Sequence, residues 1–236
     1  MKQLYVAGPW PDEPFSPPAE AVHRLRYVRR IRGGEKLTIA DGEGGRARCE
    51  WTGKFLVIRS RTRSCSNVRP VVVAAGLLKG DRWEFLLEKC VEIGVDRIVP
   101  LQLQHGVVRL KSAKVAARVA KWRHKAIEAF EQCGRISLPR VDAPMTLDQF
   151  VDLKLGAVAI ADEGGGCAIG SWAAEQEAGT CVVIGPEGGL SGDERERLDA
   201  VGGTRVSLGP NVLRAETAAI VAGAALCRIR DASGSV

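Results

Sequence analysis

Residues 181–194 read CVVIGPEGGLSGDE. The run Cys181–Ile184 is short, apolar and β-branched, which predicts a buried strand. Ser191 and Glu194 stand in the S-x-x-E spacing of a capping box, with the serine capping a helix start and the glutamate reaching back to the backbone. Gly185–Leu190 therefore joins the carboxyl end of a strand to a helix N-terminus, where open α/β sheets bind ligands. Gly185, Gly188 and Gly189 allow unusual dihedrals and a close approach to the backbone, and Pro186 stiffens the turn. The loop has neither the G-x-G-x-x-G spacing of a dinucleotide site nor the Gly-Lys-Ser/Thr of a phosphate loop. A tight turn without a ligand remains open at this point.

A second loop of the same form follows in VSLGPNVLRAETAAIVAGAAL, residues 206–226. A strand ends at Leu208–Gly209, Pro210 turns the chain, and a helix starts near Ala215 or Glu216, whose charge suits the positive helix end. Arg214 is a lone strong cation at the lip of this apolar turn. Two such loops, separated by one helix, can line a pocket that reads its ligand through backbone hydrogen bonds and apolar contact.

Outward from these loops, strands and helices alternate from RPVVVAAGLLKG (69–80) to the C-terminus. In DRWEFLLEKCVEIG, Trp83, Leu86, Leu87, Cys90, Val91 and Ile93 fall at helical spacing, with Gly94 as the stop. The alternation predicts an open, mostly parallel α/β sheet. Upstream, short β-type segments punctuated by glycines predict a small barrel or sandwich. In the helix expected over AEAVHRLRYVRRI (19–31), Val22, Leu25 and Val28, together with Arg29, share one side. The expected organisation is a small β domain over 1–70 and an α/β domain over 71–236.

Composition narrows the function. Residues 1–70 hold 14 Lys and Arg against 7 Asp and Glu, while the remaining residues hold 20 against 21. The whole basic excess thus lies in the first third, as expected of a polyanion-binding module joined to a neutral one. HRLRYVRRIRGG, residues 23–34, carries Arg24, Arg26, Arg29, Arg30 and Arg32, a density that favours nucleic acid over an ordinary solvated face. The chain has 7 cysteines and no C-x-x-C pair, so neither a zinc site nor a disulfide framework is expected, and most cysteines read as small buried hydrophobes. No apolar run reaches membrane-spanning length and the N-terminus has no signal-peptide core, so a cytoplasmic location is expected.

IGPEGGLSGDE (184–194) and LGPNVLRAETA (208–218) together resemble the motifs of the ribosomal RNA small subunit methyltransferase E family, within the SPOUT superfamily of S-adenosylmethionine-dependent RNA methyltransferases. KGDRWEFLLEKCVEIGVDRIVPL (79–101), KWRHKAIEAFEQCGR (121–135) and HRLRYVRRIRGGEKL (23–37) are also family-like. The resemblance implies a PUA-like β-barrel followed by a domain with a trefoil knot over about 158–228. It further implies a homodimer, no metal, and methylation of N3 of a uridine in 16S rRNA, on the assembled small subunit.

For the cofactor, S-adenosylmethionine, the resemblance implies contacts with Ala161, Asp162 and Glu163, with Gly185, Pro186, Glu187, Gly188, Gly189 and Leu190, and with Leu208, Gly209, Val212, Leu213 and Thr217. Arg214 is expected to steady negative charge on the uracil, and Glu216 to orient Arg214 or take the N3 proton. Arg135 joins the five arginines of residues 24–32 as an expected RNA contact, and with Glu131 and Gln132 it forms a polar cluster that serves substrate, partner or helix capping. The chain departs from the family pattern at Gln3, Arg29 and Asn211, where the pattern has arginine, leucine and arginine.

Overall fold

A computed structural model describes residues 3–64, 69–110 and 112–233. Cys65, one of the cysteines considered above, lies outside the described residues. The chain divides into two compact units. One is Met1–Asn67 with Ile127–Leu138, and the other is Val68–Ala126 with Pro139–Val236.

The first unit carries a four-stranded sheet in the order β1 (Gln3–Tyr5), β2 (Lys36–Ala40), β3 (Gly45–Trp51), β4 (Leu56–Arg63). The first pair is parallel and the others are antiparallel. Leu4, Leu25, Ile39, Trp51 and Leu56 are buried together as its core. Between β1 and β2 lies α1 (Ala19–His23), which runs straight into a π-helical turn, Arg24–Val28. The turn is closed by Arg29 N–H donating to the Arg24 carbonyl at 2.8 Å, a five-residue step.

That step corrects the expected helix face. At α-helical spacing Val28 would follow Leu25 inward, yet Val28 is 65% exposed. The wider turn rotates it out and brings Arg29 inward instead. The cause is Glu131, near the end of α3 (Ser112–Cys133). Its buried carboxylate accepts from Arg29 Nη2 at 2.8 Å and from the Tyr5 N–H at 2.8 Å, and lies 3.3 Å from Arg24 Nε. Gln3 is also buried there, and its amide donates to the carbonyls of Phe130 and Arg135. Two departures from the family pattern, Gln3 and Arg29, thus meet at the end of one helix. Gln3 ties β1 to the last turn of the helix and to the residue two beyond it, and Arg29 supplies a cation to Glu131.

The second unit is a seven-stranded sheet whose paired strands are all parallel. In chain order its elements are β5 (Val71–Gly76), α2 (Asp81–Ile93), β6 (Arg97–Leu101), the first part of α3, β7 (Arg140–Val141), α4 (Leu147–Asp152), β8 (Ala157–Ala161), β9 (Cys167–Ala168), α5 (Ile169–Ala174), β10 (Thr180–Ile184), α6 (Gly192–Asp199), β11 (Thr204–Ser207) and α7 (Ala215–Ser233). The spatial order is β7-β6-β5-β10-β8-β11-β9. The α/β class and parallel sheet read from the sequence are present. The short β7, β9 and α4 lacked a periodic signal, although Thr146 and Gln149 form a capping box for α4.

Both central strands, β5 and β10, are buried along their whole length, as a sheet covered on both faces requires. α7 packs close to the sheet because its inner face is Ala218, Ala219, Ala222 and Gly223. A Cβ on Gly223 would lie 3.1 Å from Ile93 and Val95 and 3.3 Å from Val73. Cys90, Cys181 and Cys227 are buried in this unit and Cys49 in the first, while Cys133 and Cys167 are exposed. Burial pushes the Cys90 and Cys181 thiols far up and the Cys49 thiol to about 11, so none of these is a thiolate at neutral pH. No helix among the described residues is long and apolar enough to cross a membrane.

Removing the shared acceptor at Glu131 would leave Arg29 partly buried without its ion partner and Arg24 with only the exposed Glu20. Glu131→Ala is expected to cost about 3–5 kcal/mol, read as a lower denaturation midpoint in urea, whereas Glu20→Ala, on the exposed side of Arg24, should cost less than about 1 kcal/mol.

Candidate cofactor cleft

Register places the loops of the second unit. Ala161, the last residue of β8, pairs with Ile184 at the end of β10 on one side and with Val206 of β11 on the other. Three loops therefore leave the sheet at one level, after residues 161, 184 and 207. They enclose a cleft of about 980 Å³, ample for a nucleoside-sized ligand.

The loop after β10 is the tightest. Gly189 N–H donates to the Pro186 carbonyl at 2.8 Å and closes a turn. Gly189 has φ +69°, a left-handed value that an L side chain resists. Beneath it, Gly76 at the end of β5 must stay bare, since a Cβ there would stand 2.8 Å from the Pro186 nitrogen. His105 Nδ1 lies 2.9 Å from the Gly188 carbonyl, so this nitrogen carries the proton and donates. The capping box forms as expected. Ser191 Oγ accepts from the Glu194 N–H at 3.2 Å, and Glu194 accepts from the Ser191 N–H at 2.8 Å. The other oxygen of Glu194 accepts from the Gln104 N–H at 2.7 Å.

The loop after β8 is tied to α6. Arg195 grips Asp162 with Nε at 2.8 Å and Nη2 at 3.3 Å. This two-pronged contact holds the Asp162 carboxyl below its ordinary value and raises the guanidinium above its own. On the opposite side, Arg82 of α2 donates to Glu187 at 3.1 Å. Its Nε lies 4.0 Å from Glu216 Oε1. The third loop, after β11, contributes Leu208, Gly209, Val212, Leu213 and Arg214 to the wall.

Four arginines line the cleft: Arg82, Arg195, Arg205 and Arg214. Three are committed, to Glu187, Asp162 and Asp199 respectively. Among the described residues, the exposed Arg214 guanidinium makes no ion pair. A free cation at the rim is available to an anionic group in a substrate.

Most residues expected at the cofactor lie on this wall: Ala161, Asp162 and Glu163, the whole run Gly185, Pro186, Glu187, Gly188, Gly189 and Leu190, and the four residues 208, 209, 212 and 213. Two do not. Thr217 is exposed and Glu216 is buried, and neither lines the cleft. Helical rotation explains both, because Arg214, Ala215 and Ala218 share the cleft side of α7 and positions 216 and 217 turn away from it. Glu216 makes no hydrogen bond to Arg214, and its buried Oε2 has no partner. Arg82, Arg195 and Arg205 were not foreseen. Only their partners across the fold bring them here, and no local signal marks them.

The basic segment of the first unit divides likewise. Arg24 and Arg29 are turned to Glu131 in the interior, so the expectation that they meet RNA gives way to a structural role. Arg26, Arg30 and Arg32 are exposed, and Arg135 is half-buried.

Residues 65–227 match the model of the RNA methyltransferase domain family. The ribosomal RNA small subunit methyltransferase E of Mycobacterium tuberculosis is 36% identical over 207 residues, covering 83% of this chain and 79% of that protein. The Bacillus subtilis protein of the same name is 31% identical, covering 88% and 87%. The chain belongs to the ribosomal RNA small subunit methyltransferase E family. A family member from Neisseria gonorrhoeae, solved bound to S-adenosyl methionine, superposes with a TM-score of 0.86 over 96% of each chain at 27% identity.

The Asp162–Arg195 grip should be visible in the family fold without any ligand. Because the folded Asp162 carboxyl titrates below its ordinary value of 3.8, the pair stabilises the fold above that value and the contribution is lost as pH falls through the folded one. Thermal melts of Asp162→Asn are expected to run below wild type by a constant gap from pH 7 down to about 4, the gap closing only under that.

Proposed function

We propose that this protein transfers a methyl group from S-adenosylmethionine to N3 of a uridine in 16S rRNA of the small ribosomal subunit. The observation that carries the reading is the cleft built by three glycine-bearing loops at the carboxyl ends of adjacent strands, in a chain whose solved relative holds this cofactor.

The residues present fit the cofactor. The backbone faces open space at Gly164, Gly165 and Gly209, with nothing within 4 Å of a notional Cβ. Leu190, Val212 and Leu213 offer apolar contact for an adenine. Among the described residues Glu163 makes no ion pair, and its charge on the wall suits a ligand with a sulfonium and an ammonium charge. When bound, S-adenosylmethionine supplies an electrophilic methyl group.

The chain's own residues meet the other demands. A uridine N3 must give up its proton, here to water in the open cleft, before it can accept the methyl, and the negative charge left on the ring spreads over the uracil carbonyls. Arg214 disperses that charge from the cleft rim. Glu216 is a positioning residue in this reading. Arg82, bonded to Glu187 at 3.1 Å and 4.0 Å from Glu216, links the loop after β10 to the start of α7. Arg26, Arg30, Arg32 and Arg135 contact the RNA backbone. Residues 1–70 are read as a PUA-like RNA-binding domain and 71–236 as a SPOUT domain with a trefoil knot over about 158–228. The insertion of β10 between β5 and β8, earlier strands of the chain, supports that reading. The working form is a cytoplasmic homodimer acting on assembled subunits.

The test is transfer of labelled methyl to small subunits that lack the modification, followed by nucleoside analysis. Label in 3-methyluridine is the expected result; label in another nucleoside would assign a different base, and no label with S-adenosylmethionine still bound would assign a different RNA. Arg214→Ala is expected to lower kcat about 10²- to 10³-fold while the Kd for S-adenosylmethionine stays within about two-fold. Unchanged kcat in that variant removes Arg214 from the chemistry.

A further inference from the structure

The π-turn Arg24–Val28 raises a question that the cofactor cleft does not answer. It leaves Tyr27 68% and Val28 65% exposed, adjacent in sequence. π-Turns are rare in helices and concentrate at functional sites. Just beyond, Arg30 sits at φ +50°, a left-handed value costly for a side chain with a Cβ. Exposed apolar surface, an irregular turn and a strained residue are thus collected within seven positions, 24–30. Glu131 explains why Arg29 turns inward, but not why a tyrosine occupies the displayed position.

The surroundings identify a ligand class. Residues 23–34 contain no acidic residue. Glu20, just before them, is engaged by Arg24 at 2.5 Å, and the carboxylate of Glu35 accepts the Arg32 N–H at 2.7 Å. His23 packs on the Tyr27 ring with centroids 5.2 Å apart, holding one side of the phenol. Arg26 donates to the Gly53 carbonyl at 2.6 Å. That contact ties in the turn carrying Lys54 and Phe55, where the ammonium lies 5.1 Å from the ring centroid. A second copy of so basic a patch would be repelled, whereas a polyanion would be attracted. An exposed aromatic ring in an arginine-rich segment without acids is the arrangement that stacks an unpaired base while arginines take the flanking phosphates.

We propose that Tyr27 is a base-stacking platform for an unpaired segment of the small-subunit RNA, displayed by the π-turn, with Arg30 and Arg32 on the adjoining phosphates. The inference rests on the rRNA-methyltransferase reading and adds to it a contact of the first unit that is aromatic rather than ionic.

The two kinds of contact separate by salt. Binding of the full-length protein to purified unmethylated small subunits, and to a single-stranded oligouridylate, is measured over a salt series. Tyr27→Ala is expected to weaken both by about ten-fold, the fold-change that roughly 1.4 kcal/mol of stacking corresponds to. The slope of log K against log salt should stay unchanged, and Tyr27→Trp should restore binding. Arg30→Ala should instead make the slope shallower by about 0.7. The Kd for S-adenosylmethionine should not move in any of the three.

Wild-type binding by Tyr27→Ala beside weakened Arg30→Ala overturns the stacking but keeps the RNA reading. Weakened subunit binding with unchanged oligouridylate binding places Tyr27 against a ribosomal protein and also overturns it. A Tyr27→Trp variant as weak as Tyr27→Ala does the same. If neither Tyr27→Ala nor Arg30→Ala weakens binding while label still enters the RNA, the patch is not an RNA contact and the methyltransferase reading survives alone.

Discussion

β10 is held between β5 and β8 by five register pairs on each side, and the cleft depends on that placement. Side chains alternate faces along a strand, so a slip of one residue would turn each inward side chain outward. In a strand buried throughout, such a slip has no solvated face to fall back on. The register is therefore rigid, and it sets Ala161, Ile184 and Val206 side by side. Loops that leave from one level can share a ligand; loops staggered by a turn could not. The bare Gly76 and Gly223 belong to the same constraint, since each lets a neighbour sit where a Cβ would block it.

Charge then decides what the cleft can do. Arginine is always ionised, and a cation in a partly enclosed wall is either paired or available. Arg195 with Asp162, Arg82 with Glu187 and Arg205 with Asp199 are paired, and each pair joins two different parts of the second unit. They shape the wall and leave little of their own charge for a ligand. Arg214 differs because it lies beyond the reach of those acids, at the end of the loop after β11. The nearby Glu216 turns inward, so the two charges do not cancel. Among the described residues the cleft thus keeps one cation, Arg214, without an ion pair.

The first unit uses a buried carboxylate in a comparable way. Glu131 draws in Arg29, and the helix widens into a π-turn to let it. The same five-residue step carries Val28 and Tyr27 to the surface. One interior ion pair thereby governs both a local helix geometry and the face that this unit offers to a partner. Only part of a basic run is ever available to RNA, because some of its arginines build the fold.

Local signals were legible in the sequence. The apolar runs of β5 and β10, the amphipathic spacing of α2 with its Gly94 stop, and the Ser191–Glu194 capping box all depend on residues a few positions apart. So do the glycine loops, whose backbone freedom is a property of the residue itself. Tertiary structure alone decided the strand order that puts β10 beside β5, and it alone chose which arginines are spent. Arg195 and Asp162 are 33 positions apart, Arg29 and Glu131 102, and Arg82 and Glu187 105. It also decided that Glu216 is buried, that Thr217 faces away, and that Tyr27 is displayed. A side chain's chemistry is written in the sequence, but its partner and its direction are set by whatever the folded chain brings beside it.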